Sequence, residues 1–337
     1  MANKIEAHII ALIKAYRISD IHIHTNKPMA ARISGELKTF SEFEVDENDV
    51  EEFLGDVLPE DLYEEFMATK DIDFAFQIEG NRFRGSALKT RGGLVVVARV
   101  VINKIPNIDD LGLPAAVHKS LMLKDGLILV TGATGSGKST SLAAMIDKIN
   151  RTRAEHIITI EDPIEFIHTP AQSLISQRQV GEDTKTFASA LKGALRQDPD
   201  VILLGELRDH ETISMAITAA ETGHLVLSTL HTNGAPETIN RLIDAFPNDE
   251  QTKVRVQLSM SLRLVLSQQL IKKTNGGRIG AFEVMVNTPA VANLIRENKI
   301  SQISNQMQTS AKDGMVLIEK YKEMLITKGL IEKETNA

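Results

Sequence analysis

The chain has 337 residues, 42% of them hydrophobic and only 4% aromatic, no Trp, and a formal net charge of −7. That is enough apolar material for two domains, each with its own core. With no cysteine, structural disulfides and thiolate-bound zinc are excluded, and the acidic balance and scarce aromatics count against a chain built mainly to grip nucleic acid. No apolar run reaches the length of a membrane span, and Lys4, Glu6 and Lys14 interrupt the apolar residues of the N-terminus. Neither a spanning helix nor a signal peptide is therefore expected, and a cytosolic location follows.

In chain order, Ile5, Ile9, Leu12, Ile13 and Tyr16 fall at helical spacing, and Asp20–His24 alternates as a strand. Met29–Ile33 followed by Gly35 reads as its hairpin partner. Segment 41–65 carries no Lys or Arg. Its apolar residues, Phe53, Leu54, Val57, Leu58 and Leu62, continue to Phe66 at helical spacing, so it reads as a helix with a solvated acidic face. Strand patterns return at Ile72–Ile78, Arg82–Lys89 and Leu94–Ile102. Helices on a mostly antiparallel sheet predict a small α+β domain over residues 1–103, and Asn103–Asn107 reads as the linker to a second domain, 104–337.

In that second part the short apolar strands Leu127–Val130, His156–Ile160, Val201–Leu204 and Leu225–Thr229 alternate with longer helical patterns. The alternation predicts a parallel sheet with crossover helices, an α/β core. Lys272–Arg278 reads as a hairpin turn, and the remainder is helical.

Gly132-Ala133-Thr134-Gly135-Ser136-Gly137-Lys138-Ser139 fits the phosphate-binding pattern GxxxxGK[ST], between an apolar strand and a helix that continues through Thr140. Glycines let backbone N–H groups curl around phosphate oxygens, and the helix N-terminus adds a favourable dipole. Lys138 is expected to stand exposed on the loop as the point charge for the β- and γ-phosphates. Ser139 offers its hydroxyl to Mg²⁺. ATP with Mg²⁺ is the expected ligand pair.

The following strands supply carboxylates. Thr159–Phe166 ends a strand with Glu161, Asp162 and Glu165, and Asp198–Glu206 is a Walker-B-like strand in which Gly205 stands where Asp is common. Strand carboxyl ends border the ligand crevice of open α/β sheets. Glu206 is therefore assigned to the metal, directly or through water, and to the attacking water, with Glu165 as the second polarising carboxylate. Glu161 can exchange roles with Glu165. His231 lies just past the carboxyl end of the last strand, where it can sense the γ-phosphate. His224 lies at the other end, with a structural role as an equal reading, and the two are too far apart to share a zinc ion.

Taken in order, GATGSGKST, TIEDPIEF, RQDPDVILLGELRD and AAETGHLVLSTLHTN resemble the Walker A, Asp box, Walker B and His box of the bacterial secretion/type IV pilus ATPase superfamily. Ile18–His22 matches the start of its N-terminal domain. The resemblance implies a hexameric ATP-hydrolysing motor with a PAS-like N-terminal domain and a RecA-like P-loop core. Such a motor works on the cytoplasmic face of the inner membrane beside a platform protein. The absence of a tetracysteine insert points to the PilT/PilU retraction branch, which drives pilin depolymerisation and twitching. The branch's AIRNLIRE signature appears here as Ala290–Glu297, with its first arginine lost. Implied partners are further copies of the chain, the platform protein and a second pilus ATPase, with no nucleic acid. The resemblance also implies Arg84, Arg99 and Arg241 as arginines that complete the nucleotide site, with the choice between Arg82 and Arg84 open. A PilU-like accessory ATPase, a PilT-like type IVB secretion ATPase, a RecA-like translocase and a non-hydrolysing regulatory subunit are the alternatives.

Overall fold

In the computed structural model, which describes residues 3–16, 18–33, 35–101 and 105–333, the chain separates into two units, Met1–Lys104 and Ile105–Ala337. Ile102, Asn103 and Lys104, in the last predicted strand and the predicted linker, lie outside the described residues.

The first unit runs α1 (Lys4–Ala15), β1 (Ile18–His24), β2 (Lys27–Ile33), β3 (Glu36–Val45), α2 (Glu47–Val57), α3 (Glu60–Thr69), β4 (Asp71–Ile78), β5 (Asn81–Thr90) and β6 (Gly93–Val101). Its strands form one antiparallel sheet in the order β3-β2-β1-β6-β5-β4. Burial alternates along β4, so Ile72, Phe74, Phe76 and Ile78 face the core shared with α1–α3, as period-two geometry requires. Phe76 stacks on Phe83 with centroids 4.9 Å apart and meets the edge of Phe53 at 5.4 Å.

The acidic segment differs from the expectation at both ends. Residues 41–45 belong to β3, whose Phe40 pairs with Met29 of β2. The helix that follows is two helices, because Pro59 has no N–H to donate and pushes Leu58 into the extended region (φ −91°, ψ 133°). A capping box between Asp46 and Asp49 starts α2 at a defined residue.

The second unit runs α4 (Ala115–Ser120), β7 (Gly126–Thr131), α5 (Lys138–Thr152), β8 (His156–Glu161), β9 (Leu174–Gln179), α6 (Phe187–Ala194), β10 (Val201–Leu204), α7 (His210–Glu221), β11 (Leu225–Leu230), α8 (Ala235–Asp244), α9 (Gln251–Ser261), β12 (Leu262–Lys272), β13 (Arg278–Val286), α10 (Pro289–Arg296), α11 (Ile303–Thr309) and α12 (Ile318–Thr327). The sheet order is β13-β12-β7-β11-β10-β8-β9. All neighbours are parallel except the β12–β13 hairpin. Successive residues of one strand enter opposite cores: Leu127 and Leu129 pack with α6–α9, while Ile128 and Val130 pack with α4 and α5. Burial on both faces is why these strands read as unbroken apolar runs. In the hallmark segment on α10, Val291 and Ile295 are buried, and Asn293, Arg296 and Glu297 are exposed.

Phe83→Ala should lower the stability of the first unit by about 3–5 kcal/mol, the usual result of emptying a buried phenylalanine site. A urea titration followed by circular dichroism checks this, and an unchanged midpoint would contradict the packing described.

Candidate active site

β7 is buried at every position and delivers the chain to the turn at Gly132. Gly132 has φ +143°, and a Cβ there would come within 2.4 Å of the Gln268 carbonyl oxygen, so only glycine fits. At the other end Gly137 (φ +89°) is the N-cap of α5 and gives it no side-chain cap. The first N–H groups of α5 therefore emerge without a capping acceptor, the arrangement that binds anions at helix ends.

Lys138 departs from the sequence expectation. It is the first residue of α5 rather than an exposed loop residue, and only 8% of it is accessible. Its Nζ donates to the Gly132 and Ala133 carbonyls at 2.8 and 3.0 Å. The loop curls tightly enough for its own carbonyls to reach the ammonium. Burial pushes the Lys138 pKa down, against the opposing pull of the Glu206 and Glu165 carboxylates.

A cleft of about 430 Å³ opens beside this loop. Thr134, Gly135, Gly137, Lys138, Ser139 and Thr140 line one side. Glu161, Glu165, Phe166 and His168 come from the end of β8 and beyond it, Gly205 and Glu206 follow β10, and Thr229 lies near the end of β11 with His231 just past it. Of the predicted loop residues, Gly132, Ala133 and Ser136 support the loop from behind without lining the cleft.

The carboxylates occupy three different environments. Glu161 is pushed above the ordinary range by burial, although Thr159 Oγ1 donates to it at 2.7 Å and Gln177 Nε2 at 3.3 Å. Glu165 is exposed at the cleft wall. Glu206 is ion-paired with Arg208 through Oε1, and His231 Nε2 lies 3.5 Å from Oε2. That hydrogen-bonded pairing raises the Arg208 guanidinium further. Gly205 packs where a Cβ would meet the Glu161 Cα and the Ile160 carbonyl oxygen at 3.4 Å. His224 serves the fold: its Nδ1 lies 2.9 Å from the Ala219 carbonyl, at the end of α7.

The predicted arginines are not part of the cleft lining. Arg241 is exposed on α8. Arg84 and Arg99 are cross-strand neighbours on β5 and β6 of the first unit. Arg99 Nε donates to Asp20 Oδ1 at 2.8 Å, and Arg32 Nε lies 3.8 Å from Oδ2. Burial by itself would raise the Asp20 carboxyl, but the Arg99 and Ser19 hydrogen bonds and both guanidinium charges hold it below the usual range. Arg82 is half-buried two residues before Arg84.

Sequence reasoning missed Arg208, Gln268 and His168. The first was visible as the basic residue two places after Glu206, on the same side of an extended chain. Gln268 could have been noticed as a polar residue inside the apolar run Leu262–Ile271. His168 is 6% accessible, and its Nδ1 has no partner among the described residues.

The sequence profile of the type II/IV secretion system proteins matches residues 68–335. This chain belongs to that family. Among its relatives, the type IV pilus retraction ATPase PilT of Pseudomonas aeruginosa is 44% identical over 94% of this chain and 92% of its own length. A twitching motility protein of Neisseria gonorrhoeae is 44% identical over 90% of this chain and 82% of its own length. The crystal structure of the pilus retraction motor PilT with bound ADP superposes with a TM-score of 0.92 at 43% identity, covering 99% of this chain and 96% of that one. The α/β fold with its parallel-sheet ATPase core is thus the fold of this family.

Burial pushes the His168 imidazole down from 6.5 to about 4, with Asp147 opposing weakly. Between those values the unfolded chain binds a proton that the native protein refuses, so stability falls as pH drops through this window. At pH 5 the loss attributable to His168 should be about 2 kcal/mol relative to pH 7.5. Urea midpoints for wild type and His168→Phe at both pH values check this. Equal pH dependence in the two proteins would remove His168 as the cause.

Proposed function

We propose that this chain is an ATP-hydrolysing motor that assembles into a hexameric ring and drives type IV pilus retraction. The observation that carries the reading is the convergence of Lys138, Glu161, Glu165, Glu206 and His231 on one cleft at the carboxyl edge of the sheet. The family relationship to retraction motors of nearly equal length supports the pilus role.

The cleft suits a nucleotide. The N-terminus of α5 has no side-chain cap, and Lys138 rests on loop carbonyls that a phosphate oxygen can replace as its partner. The Ser139 hydroxyl and the Glu206 carboxylate are hard oxygen donors suited to Mg²⁺, which when bound neutralises charge on the β- and γ-phosphates. Lys138 holds the phosphates as a compact cation. Glu206, with one oxygen held by Arg208 and the other near His231, orients the water that attacks the γ-phosphorus. Glu165 is the second polarising carboxylate. Glu161, tied to Thr159 and Gln177 and slow to ionise, positions this wall of the cleft. His231 senses the γ-phosphate through the carboxylate it shares with Arg208.

Arg84, Arg99 and Arg241 are assigned to charge stabilisation in the assembled ring, where a guanidinium matches the phosphoryl oxygens. Residues 1–103 act in this reading as the PAS-like domain and 104–337 as the RecA-like domain. The motor works at the cytoplasmic face of the inner membrane with a platform protein and a second pilus ATPase. No helix among the described residues is long and apolar enough to cross a membrane, so attachment runs through those partners.

Glu206→Gln should retain ADP binding and slow ATP turnover by about 100-fold or more, as loss of a transition-state electrostatic group does. Phosphate release by the purified ring, with and without single-stranded DNA, measures this. Normal turnover in the variant would remove Glu206 from the mechanism, and strong DNA stimulation would favour a translocase. Expression in a retraction-deficient twitching strain tests the pilus role, and failure of the wild-type gene to restore movement would count against it.

Lys138→Ala should abolish turnover. Because the side chain is buried, it should also lower the melting temperature by a few degrees, in line with a loss of about 1 kcal/mol. Parallel activity and melting measurements check both effects.

A further inference from the structure

Gln268 lies on β12, far along the chain from the phosphate loop, and is 2% accessible. Its side-chain amide is used at both ends. Nε2 donates to the Ser136 carbonyl at 2.6 Å, and Oε1 accepts from Ser141 Oγ at 2.8 Å. One arm therefore grips the loop and the other the first turn of α5. Gly137 lies against the same amide, since a Cβ there would stand 3.1 Å from Nε2.

The grip on Ser136 fixes more than a carbonyl. Ser136 C=O and Gly137 N–H belong to one planar trans peptide and point in opposite directions. Holding the carbonyl toward β12 turns the Gly137 N–H away from β12. Gly137 lines the cleft, and no backbone acceptor among the described residues takes this N–H. Without the grip, the peptide could rotate through ψ of Ser136 and φ of Gly137 at little steric cost on the glycine side, where no Cβ resists the change.

We propose that Gln268 is a positioning residue for the nucleotide: by holding the Ser136 carbonyl, it aims the Gly137 N–H at the β-phosphate of a nucleoside di- or triphosphate. This rests on the reading of the cleft as the nucleotide site. The effect belongs to binding of the phosphate chain. It should appear in KM and in ADP affinity more than in kcat, because the contact exists before and after the chemical step.

Three full-length proteins test this: wild type, Gln268→Met, which keeps the length and loses the donor, and Ser141→Ala, which removes only the other arm. Fluorescent ADP reports binding directly, and AMP, which has no β-phosphate, is measured by competition. For Gln268→Met, ADP affinity should fall about 10-fold, one backbone-to-phosphate hydrogen bond, with AMP affinity little changed. KM for ATP should rise by the same factor while kcat stays within about threefold. Ser141→Ala should bind ADP nearly as wild type does. Wild-type ADP affinity in Gln268→Met would overturn the proposal. So would equal losses for AMP and ADP accompanied by a drop in melting temperature, which would mark Gln268 as structural. If the wild-type protein itself bound no ADP, the nucleotide reading of the cleft would fail instead.

Discussion

The uncapped N-terminus of α5 is the constraint around which the second unit is arranged. A helix end leaves N–H groups that need acceptors, and at five helices of the chain the N-cap side chain provides one. Asn3, Asp46, Thr186, Asp209 and Thr288 cap α1, α2, α6, α7 and α10. At α8 the job falls to Glu283, which accepts from the Ala235 N–H at 2.9 Å, while Ser267 takes the Gly234 N–H. At α5 a left-handed glycine stands where such a residue would be. The first turn of the most buried helix in the unit is thus kept open toward a cleft, and a phosphate is the anion that satisfies it. β7 is buried on both sides, β12 backs the loop through Gln268, and together they place that open end beside the cleft.

Crowding acidic groups beside that end raises a second problem, since carboxylates at short range resist ionising together. The cleft resolves it by giving each a different environment. Glu206 is neutralised by Arg208, with His231 close to its second oxygen. Glu161 is half-buried and held toward its protonated form, with two donors beside it. Glu165 remains in contact with solvent, where water screens it. Lys138 and Arg278 line the cleft with them as cations. This division separates a carboxylate tethered by an arginine from one that burial holds toward its protonated form at the wall of the cleft.

The parts of this site that sit on consecutive residues were legible in the sequence. β7, β8, β10 and β11 announced themselves as apolar runs, and the loop and carboxylates follow them within a few positions. What was not legible depends on partners distant in the chain. The burial of Lys138 comes from the curvature of the loop onto itself. Gln268 acts across β12, a strand hidden because α9 runs into it without a glycine or proline to mark the change. The split between α2 and α3 was signalled by Pro59, but continuous helical spacing on either side outweighed it. In the same segment, β3 was obscured because its acidic outward face matches the acidic face of the helix after it.

The paired arginines of the first unit show how register separates residues that a motif treats alike. Arg84 and Arg99 stand directly opposite on β5 and β6, a like-charge pairing that is unfavourable unless it is compensated. The compensation is one-sided. Asp20, the cross-strand neighbour of Arg99 on β1, bonds Arg99 and draws in Arg32, while Arg84 has no ion-pair partner among the described residues. Drawing Arg99 to a phosphate would leave a largely buried carboxylate with only the weaker Arg32 contact, although the exposed side of that bridge is itself worth little. Arg84 has no such tie to break and already carries the repulsion of its neighbour. Of the two, Arg84 is the guanidinium without an ion-pair partner among the described residues, with Arg99 held in place beside it by Asp20.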